Sequence, residues 1–107
     1  MGTKAKKAVE RYVIVGTNEG GLFCGYTTQT DVEILESRIA TLRAGRHIRH
    51  WHGKTGGITS LAAFGPCGPQ AGESRIGAPC AMSKANVVAI YSCPPEAIAA
   101  FDEQQAR

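Results

Sequence analysis

The sequence predicts an α+β domain: a small antiparallel sheet of about four strands with two or three helices on one face. Segments 11–15 and 22–28 are rich in β-branched and aromatic residues and flank a turn signal at 18–21, a pattern typical of a β-hairpin. A third segment of this kind, 86–91, ends at Ser-Cys-Pro-Pro and is followed by a helical pattern over 96–105. These elements together give the predicted fold class.

The segment between the hairpin and the glycine at position 45 allows two interpretations. In the first, Asp31 caps a helix that runs to about Arg43, with apolar residues at every third or fourth position. In the second, Val32, Ile34 and Leu35 belong to a third strand. Whether residues 31–44 are helix or strand stays open at this point.

The second half of the chain is rich in glycine, with seven of the thirteen glycines between residues 53 and 77. Thr55 is placed to cap a short helix through Ala63, which Gly-Pro-Cys-Gly-Pro then ends. Residues 65–80 are predicted to form a long loop. Long loops in small domains are often functional, so this one is interpreted as a lid or as an interface arm.

The length of 107 residues and the mass of 11.3 kDa fit one domain. We predict a flexible basic N-terminal tail over residues 1–10 and a single α+β domain over residues 11–107. No apolar run approaches the roughly 18 residues of a membrane span, so no membrane partner is expected. The basic start is not followed by an apolar stretch with a cleavage site, which argues against a secretory signal.

The cysteines and histidines do not predict a disulfide framework or a metal site. The four cysteines, at 24, 67, 80 and 93, are scattered and lack paired spacing. The three histidines, at 47, 50 and 52, are close together but have no cysteine pair beside them. No cofactor is implied. A chain this small buries a modest fraction of its surface, so self-association into a homo-oligomer is the expected source of further burial.

The net charge of +3 conceals an uneven distribution. Between Ser37 and Gly72 there is no acidic residue, while five lysines or arginines and all three histidines occur there. A local positive field of this kind attracts phosphates. The alternative interpretation is a solvated basic face, balanced by acidic residues elsewhere in the fold.

Motifs of known phosphate chemistry are incomplete. Gly53-Lys54-Thr55 matches the end of the P-loop motif, but Ile48 occupies the upstream position where that motif requires glycine. The glycines at 16, 20 and 21 do not have dinucleotide-fold spacing. No cysteine or serine is paired with a histidine by any local signature, so the protein is not expected to be an enzyme.

Residues 46–60 allow two interpretations, of which the first is a nucleotide pocket. Arginine forks bind phosphate oxygens in pairs, adjacent glycines let backbone N–H groups approach an anion, and aromatic rings stack on bases. The alternative has the tryptophan in the core and the arginines in solvent. The predicted ligand-binding residues are Phe23, Arg46, Arg49, Trp51, Lys54, Gly56, Gly57, Thr59 and Ser60.

Six segments, taken in order, resemble a family of short phage and prophage proteins over roughly residues 11–101. That family has arginine where this chain has Gly16, and aromatic residues where it has Arg49 and His50. Its segment corresponding to 31–44 is also shorter. The segments that carry the resemblance are Val13-Ile14-Val15-Gly16-Thr17, Gly21-Leu22-Phe23-Cys24-Gly25, Gly45-Arg46-His47-Ile48-Arg49-His50-Trp51-His52-Gly53, Ile58-Thr59-Ser60-Leu61-Ala62, Val87-Val88-Ala89-Ile90 and Glu96-Ala97.

The group is similar to phage anti-Thoeris sponges, which sequester immune signals of the cyclic ADP-ribose type and in some cases cyclic oligonucleotides. The resemblance implies a non-catalytic immune-evasion protein in the host cytoplasm. It also implies a homo-oligomer with pockets between subunits, a small cyclic nucleotide as ligand, and no nucleic-acid partner. The alternatives are a phage structural or assembly protein and a small hydrolase that uses Cys or His.

Overall fold

The computed structural model describes residues 9–107, so residues 1–8, most of the predicted tail, lie outside the described residues. Within that range the fold is α+β, as predicted, with six strands and three α-helices. The strand number therefore corrects the expected four. The elements are β1 (Arg11–Thr17), β2 (Leu22–Thr27), α1 (Asp31–Ser37), β3 (Ala40–His50), α2 (Ile58–Phe64), β4 (Arg75–Ile76), β5 (Cys80–Lys84), β6 (Val87–Ser92) and α3 (Pro95–Asp102).

All strand pairs are antiparallel, and the strand order is β4–β3–β2–β1–β6. Strand β5 pairs with the first half of β3, and β4 pairs with its second half. The predicted hairpin is confirmed as β1 and β2, joined through a turn in which the Thr17 amide donates to the Gly21 carbonyl and the Gly20 amide donates to the Thr17 carbonyl. In the described part of the chain no helix is long and apolar enough to cross a membrane.

Both faces of the sheet are buried, because β1 is a central strand whose side chains alternate between two apolar clusters. Tyr12 and Ile14 point to the first cluster, where α2 and α3 pack. Val13 and Val15 point to the second, where α1 contributes Ile34. The prediction of helices on one face is therefore wrong, since a fully apolar strand needs cover on both sides.

Strand β3 changes face in its middle. Ala40 and Leu42 are buried in the second cluster, whereas Ile48 is buried in the first. Because residues two apart normally share a face, the exchange requires an irregularity, and Ala44 has a left-handed φ of 53° at that point. The pairing of β3 with β5 shifts register between Leu42 and Gly45 at the same place.

The crossing at this irregularity is close enough to require glycine. A Cβ atom on Gly25 would lie 2.9 Å from the Cα of Gly45 and 3.1 Å from the Cβ of Leu42. Real Cβ atoms essentially never approach backbone so closely. Gly25 thus allows β3 to bend tightly across β2, which explains a glycine inside a strand.

Segment 31–44 begins with a helix that contains Val32, Ile34 and Leu35, so the interpretation of these three residues as a strand is wrong. A capping box between Thr30 and Glu33 starts α1, and a left-handed Arg38 ends it, well before the expected residue 43. Strand β3 then begins at Ala40. The predicted loop 65–80 is likewise partly ordered into a 3₁₀ turn at Ala71–Glu73 and the short strand β4, which the sheet edge holds in place.

Arg46 connects the sheet to the C-terminal helix. Its guanidinium, on a residue only 6% exposed, donates to the carbonyls of Gly77 and Phe101 at 2.7 and 2.8 Å. It also donates to Ile76 and Gln104 at 3.3 and 2.8 Å. A cation at the C-terminal end of α3 offsets the partial negative charge of the helix dipole. It also donates hydrogen bonds to carbonyls that the helix leaves unpaired.

We expect Arg46→Met to lower the free energy of unfolding by about 3 kcal/mol, because two buried and two partly buried carbonyls lose a charged donor. Chemical denaturation of both variants checks this. The matched control is Arg49→Met, three residues along the same strand and exposed, which should change stability by less than about 0.5 kcal/mol. Equal effects in the two variants would contradict the structural role of Arg46.

Gly25→Ala should destabilise the fold by about 1–3 kcal/mol, because the added methyl group must push β3 away from β2. Gly72→Ala is the control, since a Cβ there meets no atom within 4 Å. Thermal unfolding of both variants measures the difference. If Gly25→Ala unfolds at the same temperature as Gly72→Ala, the crossing is not as close as described.

Candidate anion-binding site

The residues predicted to bind a ligand do not form one pocket within a single chain. Phe23 is buried in the second apolar cluster, beside Val13 and Val15. Trp51 is half-buried and packs against the first cluster, on the other face of the sheet. The two rings are therefore separated by the sheet and cannot stack on the same base in one chain.

The two predicted arginines also differ in availability. Every nitrogen of the Arg46 guanidinium already donates to a backbone carbonyl. Arg49 is exposed and donates to the carbonyl of Arg107. Of the pair, only Arg49 is placed to meet a solvent anion without disrupting the fold.

The loop at 53–60 uses its hydroxyl groups internally. Thr59 donates to the carbonyl of Gly56 at 3.0 Å, and Ser60 donates to that of Thr55 at 2.7 Å. Gly56 and Gly57 both have positive φ angles, which the loop requires. Lys54 is exposed, and its ammonium lies 4.6 Å from the centre of the Phe64 ring. These residues shape a turn and carry one exposed cation.

A cavity of about 300 Å³ lies elsewhere, between the β1–β2 turn and the β5–β6 turn. A hydrogen bond of 3.0 Å from the Asn18 amide to the Asn86 carbonyl ties the two turns together. Asn86 adopts a left-handed conformation, with φ 61°, which suits its place between two strands. The lining residues are Thr17, Glu19, Gly21, Phe23, Ser83, Lys84, Ala85 and Asn86.

Phe23 and Lys84 line this cavity, and with His47, which packs behind Phe23 and does not itself line the cavity, they form a group that we call the Phe23 cluster. The His47 ring stacks on the Phe23 ring, with centres 4.7 Å apart and planes inclined by 20°. The Lys84 ammonium lies 4.3 Å from the centre of the same ring. A cation held over an aromatic face keeps its charge and its hydrogen-bond donors.

Strand pairing explains how the cluster assembles. His47 is directly opposite Phe23 in the β2–β3 register, so their side chains share a face. Lys84 is the last residue of β5, and it pairs with Ala40 in the first half of β3, before the bend. Sequence analysis found Phe23 but missed His47 and Lys84 as partners, because the bend of β3 joins them and Lys84 lies outside the acid-free stretch.

The charged group of the Phe23 cluster is Lys84. Burial lowers the pKa of His47 below its ordinary value of 6.5, and the charges of Arg49 and Lys84 lower it further. An anion bound beside these groups would offset the two cations. Glu19, an exposed carboxylate at the rim, is the acidic residue among those that line the cavity.

A second depression, of about 250 Å³, contains a cation that is already paired. Arg43 lies there, with Nε and Nη2 donating to the Glu10 carboxylate at 2.7 and 2.8 Å. The ion pair lowers the pKa of Glu10 and raises that of Arg43. Because its cation is already paired, this depression is less suited to binding an anion than the Phe23 cluster is.

Two of the four free cysteines are poorly suited to nucleophilic chemistry. Burial raises the pKa of Cys24 to about 11, and that of Cys93 to about 12. The hydroxyl of Tyr12 contacts the Cys24 sulfur at 3.2 Å within the core. Because the thiolate is the reactive form, these two thiols are neutral and inert near pH 7.

Lys84→Met should raise the pKa of His47 toward 6.5, because one of the two cations that disfavour its protonation is removed. Burial, the largest cause of the lowered pKa, stays, so the recovery should be partial. NMR titration of the imidazole measures the change. Lys54→Met is the control, because it removes a lysine that lies over a different phenylalanine ring, and it should leave the pKa of His47 unaltered. An equal rise in both variants would show that Lys84 does not act on His47.

The lowered pKa of His47 also determines whether stability rises or falls with pH. Because folding disfavours the imidazolium of His47, its contribution to stability is complete above pH 6.5 and is lost as the pH falls below that value. His47→Gln should reduce the slope of stability against pH in this range.

Comparison with known proteins gives one match. The family described as a domain of unknown function (DUF6948) matches residues 10–101, which include the Phe23 cluster, the cavity and the loop at 53–60. No curated protein gives a significant match, and no solved structure does. Since the match spans most of the 107 residues, the chain belongs to the DUF6948 family.

Proposed function

We propose that this protein is a non-catalytic binder that sequesters a phosphate-bearing nucleotide signal. The observation that carries the proposal is the Phe23 cluster, which places an ammonium group and an imidazole on one aromatic ring beside a cavity of about 300 Å³. Phosphate recognition needs a cation with free donors, and Lys84 supplies three N–H groups.

The rest of the cavity offers groups for a sugar or a base. The hydroxyls of Thr17 and Ser83 and the amide of Asn86 lie around it. Glu19 adds a carboxylate that can accept from a ribose hydroxyl or a base amino group. The volume is at the lower end for small-molecule sites, which suits one nucleotide unit of a larger cyclic ligand.

Binding without turnover is favoured by the chemistry of the buried thiols. Cys24 and Cys93 are held neutral by burial, which argues against the hydrolase alternative for these two groups. The cavity presents cations and hydroxyls for holding an anion. A binder that retains its ligand intact removes a signal by mass action, and this is what sequestration requires.

The role in phage immune evasion, within the host cytoplasm, rests on the resemblance of the sequence to anti-Thoeris sponges. In such an assembly, pockets lie between subunits. Trp51 and Lys54 do not line the cavity of their own chain. We therefore propose that Trp51 reaches a ligand only from a neighbouring subunit, together with the exposed Arg49, and that Lys54 stays outside the pocket.

The first experiment measures thermal unfolding with a panel of cyclic ADP-ribose-type molecules, cyclic oligonucleotides and inorganic phosphate. Ligand at 100 times its Kd stabilises by about 2.7 kcal/mol, which raises Tm by roughly 10 °C or more in a domain of this size. Mass spectrometry after heating should return the ligand intact. No shift with any member of the panel would overturn the proposal.

A pair of lysine variants locates the site. Lys84→Met should abolish the nucleotide-induced rise in Tm, because the cation of the cavity is lost, whereas Lys54→Met keeps it. Both lysines lie over a phenylalanine ring at similar distances, 4.3 and 4.6 Å, so the two variants are closely matched. Degraded ligand would instead favour a hydrolase, and association with virions without nucleotide binding would favour a structural protein.

A further inference from the structure

The end of β3 brings two imidazoles together. His50 is the last residue of β3, and His52 follows it after Trp51. Their Nε2 atoms are 3.2 Å apart, and both rings are accessible to solvent. Trp51, which lies between them in the chain, packs against the first apolar cluster, and the β3–β4 pairing shifts register between Ile48 and His50, which places His50 opposite Arg75.

The rings do not have the arrangement of a straight hydrogen bond. A collinear N–H···N contact of this length would separate the ring centres by about 5.5 Å, since such bonds prefer angles above 150°. The ring centres are 4.8 Å apart and the planes are inclined by 86°. The two nitrogen atoms therefore form a bent hydrogen bond, in which the tautomers decide which ring donates.

The distance between the two Nε2 atoms also agrees with the spacing of two imidazole ligands on one zinc ion. Two nitrogen ligands at Zn–N distances of about 2.0–2.1 Å and a tetrahedral angle lie about 3.3 Å from each other. The observed 3.2 Å agrees with that spacing. Neutral imidazole is a favoured ligand of zinc.

The backbone around the two histidines is held in place on both sides. The amide of His52 donates to the Ser74 hydroxyl at 3.0 Å, and its carbonyl accepts from the Cys67 amide at 3.0 Å. His50 is paired with Arg75 across the β3–β4 edge. A preorganised pair loses less freedom on binding an ion than two mobile side chains would.

A single chain offers only half of a structural zinc site. Within residues 9–107 no three His, Cys, Asp or Glu side chains lie close enough to share an ion. Structural zinc takes four ligands. Because a two-fold dimer presents the same patch from each subunit, a second copy supplies the missing two imidazoles.

We propose that two copies of this chain bind one zinc ion through His50 and His52 of each. Arg75 and Arg49, both exposed, flank the pair, and water screens their repulsion of the ion. The inference does not depend on the proposed function, since His50 and His52 are not among the residues proposed to bind the nucleotide.

The test adds zinc chloride to the metal-free protein and follows mass by light scattering during gel filtration. The expected result is a dimer with one zinc ion for every two chains, reversed by chelator. Cobalt chloride in place of zinc should give the intense visible absorption of tetrahedral coordination. One ion per chain without a dimer would overturn the shared site, and so would the absence of binding.

His50→Gln and His52→Gln should each abolish zinc-dependent dimer formation, while His47→Gln retains it. All three variants are checked for folding by circular dichroism. Two independent variants keep the test decisive if one of them does not fold. Dimer formation with zinc that persists in both folded variants would show that other residues bind the ion.

Discussion

The tight crossing of β3 over β2 is the constraint on which the rest of the structure depends. Gly25 and Gly45 approach so closely that neither position tolerates a side chain without movement of its neighbours. The left-handed Ala44 beside them exchanges the faces of β3. As a result, one strand supplies Leu42 to one apolar cluster and Ile48 to the other, and both faces of the sheet are buried.

Sequence analysis predicted what depends on local chemistry. The hairpin, the final helix and the α+β class follow from β-branched residues, turn residues and Pro95 near a helix start. The number of strands and the faces of the helices did not follow, because they depend on β3. Its irregularity is at an alanine, which carries no turn signal, and β4 is only two residues long.

The candidate site was predictable in kind but not in place. The acid-free stretch from 37 to 72 directed attention to basic residues, and its member His47 stacks on Phe23. Arg46 and Arg49 are nevertheless indistinguishable in sequence, although one anchors the C-terminal helix and the other is exposed. The two arginines differ in the face of the sheet to which their side chains point. After the bend, side chains at even positions, such as Ile48, face the cluster that contains α3.

The basis for self-association also changes once both faces of the sheet are seen to be covered. From the sequence, a second subunit was expected because a small chain buries little surface. Two apolar clusters and three helices supply that burial within one chain. An oligomer would then be stabilised by specific surface chemistry, such as the imidazole pair of His50 and His52, and its assembly would depend on available metal more than on missing core.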